Sequence, residues 1–100
     1  MKKSNFYTLQ SKNNTIKAIS VSGYTDGIYN YYKTDRGFWW AIHPSTGLAL
    51  TTCHCASRKT AAQNAYDPFL IEKLDNLMNS DSGKNMVKRF NKLIQEAKQC

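Results

Sequence analysis

Gly37-Phe38-Trp39-Trp40-Ala41-Ile42-His43-Pro44-Ser45-Thr46-Gly47-Leu48-Ala49-Leu50-Thr51-Thr52, running on through Cys53-His54-Cys55 to a helix signal ending at Asp67, decides the fold. Phe38, Trp40 and Ile42 alternate with Trp39, Ala41 and His43, the period of two that sends neighbours to opposite faces of a strand. Pro44-Ser45-Thr46-Gly47 carries turn chemistry, since Pro presets its own φ and Gly accepts a positive one. Leu48 to Thr52 then returns as the partner strand. The stretch predicts strand, tight turn, strand and helix.

Two further turns have the same polar, Gly-ended form: Tyr24-Thr25-Asp26-Gly27 and Thr34-Asp35-Arg36-Gly37. Such turns suit short hairpins with a glycine in the left-handed region. They delimit a meander with strands at 28–33, 38–43 and 47–53. Upstream, the β-branched segment Thr15–Val21 predicts another strand and Asn5–Gln10 a weaker one, separated by the turn-prone Ser11-Lys12-Asn13-Asn14. Helices follow. Ser57 caps Arg58–Tyr66, whose Ala61, Ala62 and Ala65 face inward. Asp67-Pro68 opens a second helix with the apolar stripe Leu70, Leu74, Leu77 and Met78. Asn79–Gly83 interrupts, Asp81 or Ser82 is the next cap, and Lys84–Lys98 places Met86, Val87, Phe90, Leu93, Ile94 and Ala97 on one side.

The expected fold is therefore α+β. An antiparallel β-meander of three to five strands, over about 5–53, precedes two or three helices, over about 58–98, packed on one face of a single domain spanning 1–100.

Composition excludes several classes. The 100 residues are 41% hydrophobic and 12% aromatic, and 14 basic against 7 acidic residues give a net charge of +7. That balance favours acidic partners, nucleic acid among them, without specifying a fold. No apolar run approaches the roughly 20 residues needed to span a bilayer. The basic start Met1-Lys2-Lys3 is followed by no apolar segment, so no secretory signal is expected. Three cysteines, an odd number, do not make a disulfide framework, which points to the cytoplasm, where thiols stay reduced.

Cys53-His54-Cys55 with His43 invites a zinc reading, because thiolate and imidazole are good zinc ligands. Alternation in a strand, however, puts Cys53 and Cys55 on one face and His54 on the other. No fourth ligand is evident, so small buried thiols are expected in place of a metal site, and no cofactor is expected. Cys100 is a tail residue. A Cys–His nucleophile would need the two side chains in hydrogen-bond reach, and the Pro44–Gly47 turn sets His43 across from Leu48, not from Cys53. No phosphate-binding glycine loop, paired carboxylates or serine elbow occurs. The chain is expected not to be an enzyme.

Tyr29, Tyr31, Tyr32, Trp39 and Trp40 crowd two neighbouring strands, so both faces of the sheet carry rings and only one lies beneath the helices. Tyr29, Tyr31, Tyr32, Arg36 and Trp39 are the expected partner-binding residues. Lys84, Lys88, Arg89 and Lys92 form a basic ridge on the last helix that could follow a phosphate backbone, and Lys2, Lys3, Lys12 and Lys17 form a second cluster. The ridge is alternatively the solvated back of an amphipathic helix.

Residues 27–67, with Trp40-Ala41-Ile42, a turn ending in Gly47, Thr60-Ala61-Ala62 and Asn64-Ala65-Tyr66-Asp67, resemble the AP2-type DNA-binding domain, three strands laid over one helix. That resemblance implies a sheet that enters the major groove and reads bases with arginines. Here Lys33 and Arg36 are the only basic residues between Lys17 and Arg58, and the strands offer aromatic rings instead, so the implied scaffold lacks the implied reading surface. At the level of composition, a small meander-plus-helix chain rich in Asn, Lys and Tyr is similar to phage and mobile-element accessory proteins, including anti-CRISPR inhibitors. That similarity implies a stoichiometric inhibitor docking on a host protein or nucleoprotein complex in the cytoplasm of a bacterial host cell. Direct binding of DNA or RNA through the lysine-rich surfaces is the alternative, and monomer and homodimer are both compatible with the sequence.

Overall fold

A computed structural model describes residues 2–50 and 55–99. Four strands, β1 (Lys2–Lys12), β2 (Thr15–Thr25), β3 (Asn30–Lys33) and β4 (Trp39–Ile42), form one antiparallel sheet in the order β1-β2-β3-β4. Three helices follow: α1 (Arg58–Ala65), α2 (Pro68–Met78) and α3 (Asp81–Lys98). The protein is an α+β meander with its helices after its sheet.

The longest pairing is the one with the weakest sequence signal. β1 and β2 pair along their whole length, from Lys2↔Thr25 to Lys12↔Thr15. Asn13 and Asn14, at φ 53° and 63°, make the two-residue turn between them. Two left-handed residues in succession match the twist of the flanking strands, and asparagine tolerates that conformation best after glycine. Once this turn fixes the register, polar residues such as Lys2, Lys3 and Ser22 are carried into the ladder. The strands expected at 5–10 and 15–21 are accordingly both longer.

β3 and β4 are shorter than the expected 28–33 and 38–43. Gly27, Gly37 and Gly47 all take positive φ, as the three Gly-ended turns require. The expected strand 47–53 is corrected: its described part makes an isolated bridge, Ile42↔Ala49, and Leu50 N–H donates to Ala41 O. The chain turns back at Gly47, whose N–H bonds to His43 O while His43 N–H bonds to Leu48 O, but it does not run on as a regular strand. The remainder of that expectation, from Thr51, lies outside the described residues.

Ser57 caps α1 and Asp67 caps α2, each side chain accepting backbone N–H groups of the first turn. α3 begins earlier than expected. Its cap is Ser80, not Asp81 or Ser82, and the hydroxyl accepts from Gly83 N–H at 3.1 Å while donating to Leu77 O at 2.6 Å. Gly83 fits where other residues do not, since a Cβ there would overlap the Leu77 carbonyl of α2.

Paired residues share a face, so Tyr24, Tyr31 and Ala41 form a row across β2, β3 and β4. α1 packs on this side, presenting the buried Ala61 and Ala65. Small residues let the helix approach closely, and together with Tyr29, Leu50, Cys55 and Leu74 they form the main core. α3 lies against β2, and α2 packs on α3. Phe90, buried in α3, reaches the Gly47 turn, whose carbonyl in turn accepts from Leu9 N–H and the Thr8 hydroxyl of β1.

Candidate functional site

The sheet's other face holds a second aromatic set. Tyr32 and Trp40 are cross-strand partners and meet edge-to-face at 6.2 Å, and Phe6 of β1 meets Tyr32 in the same manner at 6.2 Å. Beside them lies a groove of about 690 Å³, lined by Val21, Tyr32, Lys33, Arg36, Phe38 and Trp40 among others. Its rings are half-buried, while Lys33 and Arg36 are exposed at its lip with Asp35. Burial, and after it the charge of Asp35, raises the Tyr32 phenol above its ordinary pKa, so it stays a neutral hydroxyl. Apolar walls with a charged lip suit a binding surface.

Only part of the expected partner surface is there. Tyr32 and Arg36 line the groove, but Tyr31 is fully buried and Tyr29 nearly so, both in the core beneath the helices. Trp39 is half-buried on the helix side, 6.1 Å from the Tyr24 ring, and the Arg58 guanidinium lies 4.0 Å from Tyr24 and 5.6 Å from Trp39. The correction follows from the period of two, because Tyr31 and Tyr32, or Trp39 and Trp40, cannot face the same way. Trp40, not Trp39, lines the groove. A usable signal was present: Ala41 shares Trp39's face, and the small residue marks the side on which a helix can lie.

At the opposite end of β3, Asp26 collects four donors. Its Oδ1 accepts from Ile28 N–H at 2.9 Å and Tyr29 N–H at 2.8 Å, and its Oδ2 from the hydroxyls of Tyr31 at 2.7 Å and Tyr66 at 2.8 Å. Burial alone would raise this carboxyl, but the hydrogen bonds to its charged form outweigh it and the pKa is lowered. Both phenols move up, by burial and then by the bond to Asp26: Tyr66 to about 12, Tyr31 further. Protonated phenols on a fixed carboxylate make a latch between the β2–β3 loop and the end of α1, not a reactive pair. Ile28 (60%) and Tyr66 (39%), both bonded to that latch, are exposed, as is Phe69 (77%) in the first turn of α2.

The basic residues Lys84, Lys88, Arg89 and Lys92 are all exposed on α3. Lys17 sits beside Leu93, Glu96 and Ala97 of that helix, whereas Lys2 and Lys3 pair with Thr25 and Tyr24 at the other end of the hairpin, so the expected N-terminal lysine cluster is corrected: its members stand at opposite ends of two long strands. His43 is half-buried with Nδ1 bonded to the Thr46 hydroxyl at 2.9 Å, and burial lowers its pKa. Cys55 is buried in the core, with Asn64 Nδ2 3.3 Å from its sulfur. Cys53, His54 and Cys100 lie outside the described residues. Among the described residues no group of three His, Cys, Asp or Glu side chains could hold a metal ion, and no helix is long and apolar enough to cross a membrane.

Comparison with protein-family models, curated proteins and solved structures returns no match for this chain.

Proposed function

We propose that the chain is a non-enzymatic binding protein that docks on a bacterial nucleoprotein or defence complex, in the manner of phage and mobile-element inhibitors of the anti-CRISPR kind. The groove on the helix-free face carries the reading: Phe38 and Trp40 supply anchors in a concave site, and Lys33 and Arg36 steer an acidic partner toward it. Aromatic and arginine side chains are the types that dominate such interfaces. The test compares the wild-type chain with a Lys33→Glu/Arg36→Glu variant as bait in a nuclease-treated bacterial lysate. The reading expects one defined complex captured by the wild type and lost by the variant. Equal capture by both baits removes the groove from the account.

A second reading, direct binding of DNA or RNA, is favoured by the four exposed cations of α3. It expects affinity for an oligonucleotide to fall steeply with salt and to weaken on Lys88→Glu/Lys92→Glu substitution.

A further inference from the structure

β1 is an edge strand, paired along its whole length with β2 on one side only. In an antiparallel ladder, alternate residues of an edge strand turn both N–H and C=O away from the partner strand. Leu9 belongs to that outward set, because its N–H donates at 3.3 Å to Gly47 O beyond the edge. Lys3, Asn5 and Tyr7 share its parity. The Gly47 turn closes the edge at Leu9, but from Lys3 to Tyr7 it is open. Among the described residues, the Ser4 hydroxyl, 3.5 Å from Asn5 O, is the only group hydrogen-bonded to the outward backbone of these three. Lys3 and Asn5 are exposed and Tyr7 is half-buried. Three N–H and three C=O groups thus stand in a row of ~13 Å, the length of four strand steps.

Such a row selects an extended backbone, since a strand offers acceptors and donors at the matching spacing. Charge then selects among strands. Residues 2–25 hold Lys2, Lys3, Lys12 and Lys17 and no acidic residue, and Lys2 and Lys3 stand at the open end. Lys98, in the last turn of α3, adds a cation there, its Nζ 5.9 Å from the Tyr7 ring. The neighbouring acidic groups are engaged elsewhere. Asp26 is bonded to Tyr31 and Tyr66 beyond β2, and Glu96 lies beside Lys17, toward the hairpin turn. A second copy fits this edge poorly. Two-fold pairing centred on Asn5 sets Lys3 of one copy opposite Tyr7 of the other, and so beside its Lys98. Lysines on an edge are a usual guard against such self-pairing. We infer that β1 takes up an acidic, extended segment of a partner protein as a fifth strand, bonded to Lys3, Asn5 and Tyr7 with its carboxylates near Lys3 and Lys98. The inference rests on the reading of the chain as a binding protein but uses the edge of the sheet, not the groove.

The probe is an end-blocked peptide of ~9 residues alternating glutamate with threonine, long enough to span the open edge. Two controls separate backbone from charge: the same peptide N-methylated at every amide, and a lysine–threonine peptide of the same pattern. Titration into the full-length ¹⁵N-labelled protein is expected to give saturable binding. At about ten times the Kd, the amides of Lys3, Asn5 and Tyr7 are expected to exchange with solvent roughly tenfold more slowly. Phe6 and Thr8, whose amides already face β2, are expected to be unchanged. Lys3→Glu/Lys98→Glu, both at exposed positions, is expected to weaken binding roughly tenfold, the scale of two reversed surface charges. No saturable binding, equal binding of either control peptide, protection at residues 33–40 in place of β1, or unchanged affinity in the double variant overturns the proposal. So does concentration-dependent self-association in sedimentation that Asn5→Pro abolishes, since the occupant is then a second copy; proline is tolerated where an edge N–H faces outward. None of these outcomes touches the Lys33/Arg36 experiment, so the two readings fail separately.

Discussion

Replacing Asp26 with asparagine keeps the shape of the latch and removes its charge. The amide oxygen can still accept from Ile28 and Tyr29, but the amide nitrogen then faces two phenol hydroxyls that both donate to the carboxylate. A hydrogen bond to a charged group contributes about 1.5–3 kcal/mol net, and the loss is felt in full only where water cannot replace it. Tyr31 is fully buried but its acceptor Asp26 is exposed, so that bond counts at the lower end of the range; Tyr66 is 39% exposed, so water recovers most of the second. The expected cost is about 1.5–2 kcal/mol against a stability of about 5–15 kcal/mol typical of a domain, which leaves the chain folded. Urea unfolding followed by the fluorescence of Trp39 and Trp40 measures it. Tyr31→Phe alone is expected to cost about 1.5 kcal/mol, and the double variant about what Asp26→Asn costs by itself, because both remove one bond. A loss below about 0.5 kcal/mol for Asp26→Asn, the range of an ordinary surface change, refutes the argument, and so does strict additivity in the double variant.

Other outcomes follow from the same geometry. Gly47→Ala is expected to lower the urea midpoint by about 2 kcal/mol or more in stability units, since it forces a Cβ at φ 71° into the Phe90 ring; an unchanged midpoint rejects that close approach. His43 holds its proton less well folded than unfolded, so acidification through 6.5 charges the unfolded chain first and stability falls below that pH. His43→Gln is expected to flatten the pH dependence of the urea midpoint in that window. Asp26, with its lowered pKa, adds a further loss below 3.8, present in the wild type and absent in Asp26→Asn. Arg58→Ala is expected to cost about 0.5–1 kcal/mol through the lost stack on Tyr24 and Trp39, whereas Arg58→Lys, a weaker stacker, restores only part.

The helical half was legible because its signals are local. Ser57, Asp67-Pro68 and the stripe Leu70, Leu74, Leu77 and Met78 each lie within one or two turns of what they specify. The start of α3 is hidden in the sequence because Gly83 reads as a breaker in isolation, and its purpose, clearing the Leu77 carbonyl, depends on how two helices meet. The β1–β2 hairpin was under-read for the opposite reason. Its polar ends have little strand propensity, and the register set at Asn13-Asn14 overrides it. Alternation was enough to say that the rings of β3 and β4 divide between two faces, but not which set the helices would cover. The latch was invisible, since Asp26 looked like any turn aspartate and its partner Tyr66 lies 40 residues on.

The order β1-β2-β3-β4 places every sheet neighbour next in sequence, while the helix that covers β2 comes last. During synthesis the hairpin leaves the ribosome before the helices, and 55 residues separate the end of β2 from the start of α3. At about 5–20 residues per second that interval is roughly 3–11 s. For those seconds Ala18 and its neighbours on the helix side of β2 have no cover, though the hairpin can already be paired. Ala18 is flanked on that face by Ser20 and Ser22, so the hairpin exposes little apolar surface while it waits for α3.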